Sequence, residues 1–240
     1  MRYRRILPLG LLMMAAALAH AHGPPPVQYG FLVEGAPLDA KAPPPGVPFA
    51  PHPGDIVLYD EFNRFFQVVY KWANTSGPTH CAMVIERPNG TPALLELTGP
   101  KVITAKVVVM DIETRFKEYP GVVMVRRLRQ SLTKDQSRIL TEFAHAEVGK
   151  SFAVGRVVLQ ITPFCPRTGL RHELFGKTPL TRNRWFCSEL VVSAATKAGV
   201  LNTKICCANA TYPRDLAYDE RVDLSGLYHP PLYWTPGTPR

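Results

Sequence analysis

The chain has 240 residues, 46% apolar and 20% charged, and carries a formal charge of +9. That balance suits a globular domain with a proper core and excludes a disordered, collagen-like or disulfide-dense miniature scaffold. The basic residues are scattered rather than in runs, which argues against nucleic acid as the partner.

Met1 to Ala21 reads as a secretory signal. Arg2, Arg4 and Arg5 form a basic start, residues 6–18 are apolar, and Ala19-His20-Ala21 resembles an A-x-A cleavage site. The apolar part is shorter than the roughly 20 residues a bilayer span needs. Removing residues 1–21 takes three arginines and no acid, leaving +6. The expected location is therefore outside the cell or in the secretory lumen. Five cysteines, Cys81, Cys165, Cys187, Cys206 and Cys207, allow up to two disulfides and leave one thiol over. No C-x-x-C or H-E-x-x-H spacing occurs, so neither a metal nor any other cofactor is expected. Asn74, Asn89 and Asn209 open N-x-[ST] sequons. They are glycan acceptors in a eukaryotic secretory pathway and chance matches otherwise.

Residues 24–53 hold ten prolines, so 22–53 reads as an extended linker. A single domain is expected over 54–224, and 225–240 reads as a tail rich in proline and aromatics. Within the domain, 56–59 is expected as a strand, 61–73 as a helix and 79–86 as a strand. Pro88-Asn89-Gly90 marks a hairpin turn and 92–98 the returning strand. Strand 106–110, a short helix at 111–117 and strand 121–128 follow. Short turns between so many strands suggest an antiparallel sheet. Thr133-Lys134-Asp135-Gln136 matches a capping box opening a helix that ends at Gly149. Residues 150–184 show no period. They carry seven basic residues against one acid, Glu173, and read as a lid or pocket wall, or as a solvated basic loop.

Residues 187–198 look like a buried helix that begins at a cysteine. Positions 187, 190, 191, 194, 195 and 198 are apolar or small, and Gly199 stands where a helix-ending glycine belongs. A thiol in the first turn faces unpaired N–H groups and the positive end of the helix dipole, which favour a thiolate. Cys187 is thus a candidate nucleophile, or else simply a small buried hydrophobe. Residues 211–217 read as a further short helix.

A thiol nucleophile needs a base, and the base an orienting group. If 80–86 pairs with 92–98 around the 88–90 turn, Ala82 faces Glu96. His80 and Glu96 then share one face as diagonal neighbours, and Cys81 points to the other. Gly54-Asp55-Ile56-Val57, Thr79-His80-Cys81-Ala82-Met83-Val84, Leu95-Glu96 and Phe186-Cys187-Ser188-Glu189-Leu190-Val191 resemble the circularly permuted papain-like amidases of the YiiX/YaeF type, in the NlpC/P60 superfamily. The His strand precedes the Cys helix here, as in that permuted group. Tyr212-Pro213-Arg214-Asp215-Leu216 also looks like a family segment, so the resemblance runs from about Pro53 to Asp219. The related retinol-acyltransferase-like group has a second His where Glu96 stands and Asn-Cys-Glu-His around its cysteine, which this chain lacks.

The resemblance implies an α+β, papain-like, permuted fold with the Cys helix packed on an antiparallel sheet. It implies a thiol hydrolase with Cys187 as nucleophile, His80 as base and Glu96 orienting His80. Its substrate would be a peptide, another amide or an acyl-lipid. The Cys187 N–H at the helix start would meet the oxyanion, and Ser188 joins the oxyanion candidates. Tyr59 is either a polar neighbour of the site or a half-buried strand tyrosine. The alternatives are a catalytically silent lipid- or glycan-binding module and a peptidoglycan endopeptidase. Contact with a membrane surface and the oligomeric state stay open.

Overall fold

The structure is a computed structural model that describes residues 28–35, 46–60, 68, 70–73, 75–160, 162, 182–204 and 206–236. The signal-like segment 1–21, Asn74, Cys165 and most of the expected 61–73 helix and 150–184 segment lie outside those residues.

Ten strands form one sheet. They are β1 (Phe31–Val33), β2 (Val47–Pro48), β3 (Ile56–Asp60), β4 (His80–Glu86), β5 (Pro92–Thr98), β6 (Lys106–Met110), β7 (Val122–Arg126), β8 (Ser151–Phe152), β9 (Arg184–Trp185) and β10 (Leu232–Thr235). Their order across the sheet is β2-β1-β10-β7-β3-β4-β5-β6-β8-β9. The described helices are α1 (Ile112–Glu118), α2 (Lys134–Glu147), α3 (Val154–Gln160), α4 (Cys187–Lys197) and α5 (Pro213–Ala217). The fold is therefore α+β. The sheet is mixed rather than antiparallel throughout, because β8 and β9 run parallel at its edge.

Side chains alternate across a strand, so each central strand feeds two layers. Ile56, Leu58, Cys81, Met83, Ile85, Leu95 and Leu97 face one side and pack with residues of α2 and α4. Val57, Tyr59, Ala82, Val84 and Leu94 face the other, under Ile112 and Phe116 of α1. The β4–β5 register pairs Met83 with Leu95 and Val84 with Leu94, the pairing expected from the turn at 88–90. At α2 the expected capping box forms. Thr133 Oγ1 accepts from Gln136 N at 3.2 Å, and Gln136 Oε1 accepts from Thr133 N at 3.0 Å. Gly199 closes α4 with φ +73°, a backbone state that side chains disfavour. Residues 188–195 of α4 are all buried, so this helix is core on every side.

Two expectations need correction. The stretch read as a linker supplies β1 and β2, and the tail supplies β10, which sits between β1 and β7. The prolines do not prevent this. β1 contains none, and Pro48 lies in the outermost strand, where a missing N–H costs no ladder bond. Phe49 is fully buried and stacks on Phe116 with ring centroids 6.2 Å apart. The stretch after Gly149 is not irregular throughout, because 154–160 is α3.

Phe49→Ala tests whether residues 46–50 belong to the fold. It should lower the unfolding free energy by about 3–5 kcal/mol, the usual cost of emptying a buried aromatic site. A urea midpoint equal to wild type would mean that the stretch only drapes over the surface.

Candidate active site

Helix α4 and strands β4 and β5 deliver the expected trio to one end of the sheet. β4 begins at His80, and β5 carries Glu96 two residues before its end. His80 Nε2 meets Glu96 Oε1 at 2.9 Å. His80 is partly open, with 23% of its side chain exposed, whereas Glu96 is wholly buried.

A buried carboxylate stays charged only if hydrogen bonds replace the water it loses. Arg115 of α1 supplies them. Its Nε reaches both Glu96 oxygens at 3.0 Å, and its Nη2 reaches Oε1 at 2.7 Å. Tyr59 donates its hydroxyl to Glu96 Oε2 at 3.4 Å and stacks on the His80 ring with centroids 5.4 Å apart. The Arg115 guanidinium lies 5.0 Å from the Tyr59 ring centroid and 5.1 Å from that of Tyr119. Burial alone would raise the Glu96 carboxyl. The His80 and Arg115 hydrogen bonds outweigh it and hold the group below the ordinary carboxylate range. Burial also pushes Tyr59 well up, and the Glu96 charge adds to this, so its hydroxyl remains a donor.

Cys187 is the first residue of α4 and is partly exposed. It packs against the layer that holds Cys81, and the sulfur lies within reach of both the Cys81 thiol and the His80 imidazole. The Cys187 thiol is held well below its ordinary value. The Cys81 hydrogen bond contributes most, burial opposes, and His80 adds to the fall. Cys81 is pushed well up by burial and by its charged neighbour, so it stays an S–H donor. Burial would lower His80, but its contacts with Cys187 and Glu96 win and raise it to about 10. Both shifts favour a thiolate at Cys187 and a proton on His80.

Two expectations are refined. Tyr59 is fully buried rather than half-buried, and it touches Glu96. Ser188 does not aim its hydroxyl at the site, because its Oγ is buried and donates to Thr211 O at 2.6 Å. Only its N–H, in the first turn, stays available to an oxyanion. Sequence reasoning missed Arg115, which sits among charged residues on a short surface helix. It also dismissed Cys81 for facing away from Glu96, yet that face is the one α4 covers. The four described cysteines, Cys81, Cys187, Cys206 and Cys207, are thiols that form no disulfide with one another.

Other side chains hold the start of α4 in place. Glu189 is buried and pairs with Arg156 at 2.7 Å and Arg182 at 2.9 Å, tying α3 and the chain before β9 to the first turn. Its Oε2 also accepts from Phe186 N at 3.4 Å. Gly77 packs directly against the Asp60 carboxylate, which would have to swing aside to admit a Cβ there. Beside Cys187 and His80 opens a cavity of about 370 Å³. Leu97, Val102, Ala105, Phe152, Val157 and Phe186 make much of its wall apolar.

No family model and no curated protein matches the chain. Among solved structures, the crystal structure of the metalloprotein yiiX from Escherichia coli O157:H7, DUF1105, is similar over 62% of this chain and 67% of that one, with a TM-score of 0.42 and 20% identity. That likeness is too slight to bear on the site, whose chemistry rests on the geometry above.

Alkylation by iodoacetamide reads this geometry directly. The rate at Cys187 should stay level through neutral pH and fall only in acid, as the depressed thiol takes up its proton. Cys206, pushed up to about 11 by burial, should react only in strong alkali. Cys81→Ala removes the main stabilising contact, so the Cys187 titration should move up in pH. Each unit of that move costs about tenfold in rate below the midpoint. A Cys187 that titrates near pH 8.5, like a model thiol, would sink the thiolate assignment.

Proposed function

We propose that this protein is a secreted, permuted papain-like thiol hydrolase that cleaves acyl esters or amides through an acyl-enzyme on Cys187. The observation that carries the reading is the Cys187–His80–Glu96 set opening onto a largely apolar cavity. The chain order, with the His strand before the Cys helix, supports the permuted arrangement.

In the first step the Cys187 thiolate forms an S–C bond with the substrate carbonyl carbon. The C=O π pair moves to oxygen, and the free N–H groups of the first turn of α4 face the resulting oxyanion. Because Nε2 of His80 is engaged by Glu96, Nδ1 is the ring atom left to exchange a proton with the site. Collapse of the tetrahedral species breaks the bond to the leaving amine or alcohol, which takes its proton from His80. Water then attacks the thioester carbonyl and gives a proton to His80, and the Cys187 thiolate departs with the S–C electron pair. Glu96 fixes the ring tautomer and stabilises the imidazolium, while Arg115 keeps Glu96 ionised.

An apolar wall beside a nucleophile favours an acyl chain over a polar peptide. Each methylene drawn out of water there contributes about 0.8 kcal/mol. An octanoyl ester should therefore exceed the acetyl ester by at least about tenfold in kcat/KM, a modest share of that burial energy. Val157→Asp should erase the preference and leave Cys187 alkylation unchanged. Mass spectrometry should find the acyl adduct on Cys187, and Cys187→Ala should abolish turnover. If short peptides are the better substrates and Val157→Asp changes nothing, the acyl reading fails.

Glu96→Gln should lower kcat by orders of magnitude, since the imidazole loses its orienting charge. The burial of Glu96 against Arg115 means that this change also weakens the fold, by about 1–3 kcal/mol for an imperfectly matched buried polar group. Loss of stability at unchanged specific activity would make Glu96 structural alone.

A further inference from the structure

A second concavity lies beyond the other end of β3, a strand of five residues and thus on the order of 15 Å long. Its volume is about 230 Å³, and its walls are His52, Pro53, Arg127, Leu128, Arg129, Ser131 and His229. It shares no residue with the Cys187 cavity. Two arginines, two histidines and a serine line it, and among the described residues no carboxylate does.

The backbone enforces the convergence. Arg127 and Arg129 are two apart on the extended chain after β7, so both point to one face. The segment 227–229 runs beside them. Arg129 N donates to Leu227 O at 2.8 Å and His229 N to Arg127 O at 2.8 Å. Among the described residues, the only carboxylate bonded to these walls is Asp55, which is buried and already engaged. Its Oδ2 accepts from His52 N at 3.0 Å and its Oδ1 from Leu128 N at 2.9 Å, while Arg127 Nε stays 3.9 Å away. Burial pushes the Asp55 carboxyl up, against the pull of the His52 and Leu128 hydrogen bonds and of Arg127. Arg129 spends Nε on Ser225 O at 2.7 Å, a neutral acceptor.

The histidines are set as donors. Arg127 Nη2 meets His52 Nδ1, and Arg129 Nη1 meets His229 Nδ1 at 3.4 Å. A guanidinium can only donate, so each Nδ1 accepts and the ring proton sits on Nε2. Two arginines, two histidines with a donor nitrogen left over and Ser131 thus line one small hollow. Arginine forks suit planar carboxylates and tetrahedral oxyanions alike, and donors from three chain segments favour the tetrahedral one. The hollow is smaller than the roughly 300–1,000 Å³ of a drug-sized site.

We propose that this hollow binds a tetrahedral oxyanion, a phosphate or sulfate group, through Arg127, Arg129, His52 and His229. The group is carried either by a soluble ligand or by a phospholipid headgroup. The site is independent of the thiol chemistry and stands or falls without it.

The test uses the full chain and inorganic phosphate and sulfate as probes, with sodium chloride at matched ionic strength as control. Calorimetric titration should show saturable binding of phosphate or sulfate and none of chloride. Arg127→Gln with Arg129→Gln should weaken it at least tenfold, and His229→Gln should weaken it severalfold. Unchanged Cys187 alkylation will show that each variant is folded. If the double variant does not fold, the exposed Arg129→Gln alone carries the test, with at least threefold weakening expected. A vesicle arm separates the sources. Retention on phosphatidic acid–phosphatidylcholine vesicles that is lost in the arginine variant and competed by phosphate assigns a headgroup. Soluble binding without retention assigns a soluble ligand. Absence of saturable binding to both probes, or binding undiminished in the arginine variants, overturns the proposal.

Discussion

A carboxylate with no access to water is the constraint around which this end of the molecule is arranged. Glu96 can remain charged only while Arg115 grips both its oxygens and His80 takes one of them. That requirement fixes several things together. It depends on the β4–β5 register, because a slip of one residue would turn Glu96 to the opposite layer. It seats α1 over β5, because Arg115 must arrive from there. It also fixes the plane of the imidazole, which Tyr59 supports from beneath. Removing a partner from such a group leaves a charge stranded in the interior, at a typical cost of about 3–5 kcal/mol. Catalytic geometry and local stability are therefore the same set of contacts here.

The candidate nucleophile and the candidate base come from opposite layers. His80, Glu96 and Tyr59 belong to the face beneath α1, whereas Cys187 and Cys81 belong to the face beneath α4. They meet where the strands end and the sheet no longer separates the layers. The low-lying Cys187 thiol draws on the neighbouring Cys81 thiol and the His80 ring, at the start of a helix. Glu189, drawn toward Arg156 and Arg182, keeps its own negative charge occupied near the same helix start.

Local signals explain which parts could be read from the chain. The 88–90 turn fixed the register, so the meeting of His80 and Glu96 followed from counting residues. The Thr133 box and Gly199 marked helix ends because capping is a property of a few adjacent residues. What could not be read depends on docking. Nothing in Ile112–Glu118 distinguishes Arg115 from the exposed Glu113–Lys117 pair on the same helix. Cys81 looked irrelevant until α4 lay across it. α3 escaped notice because a seven-residue helix with Gly155 and apolar residues on several sides has no period to detect. β1 and β10 are short strands from the two ends of the chain, and such pairing leaves no local mark.

That last pairing has a mechanical consequence. Phe31 faces Thr235 and Val33 faces Tyr233, so the chain enters β1 and leaves β10 at the same end of an antiparallel pair. Tension applied across the two termini would load the bonds one rung at a time, as in opening a zipper, rather than all together in shear. β1 would peel away first, then β10 would lift from β7. The strands that carry His80 and Glu96 lie beyond β7 and β3, and they would bear no force until those rungs had parted.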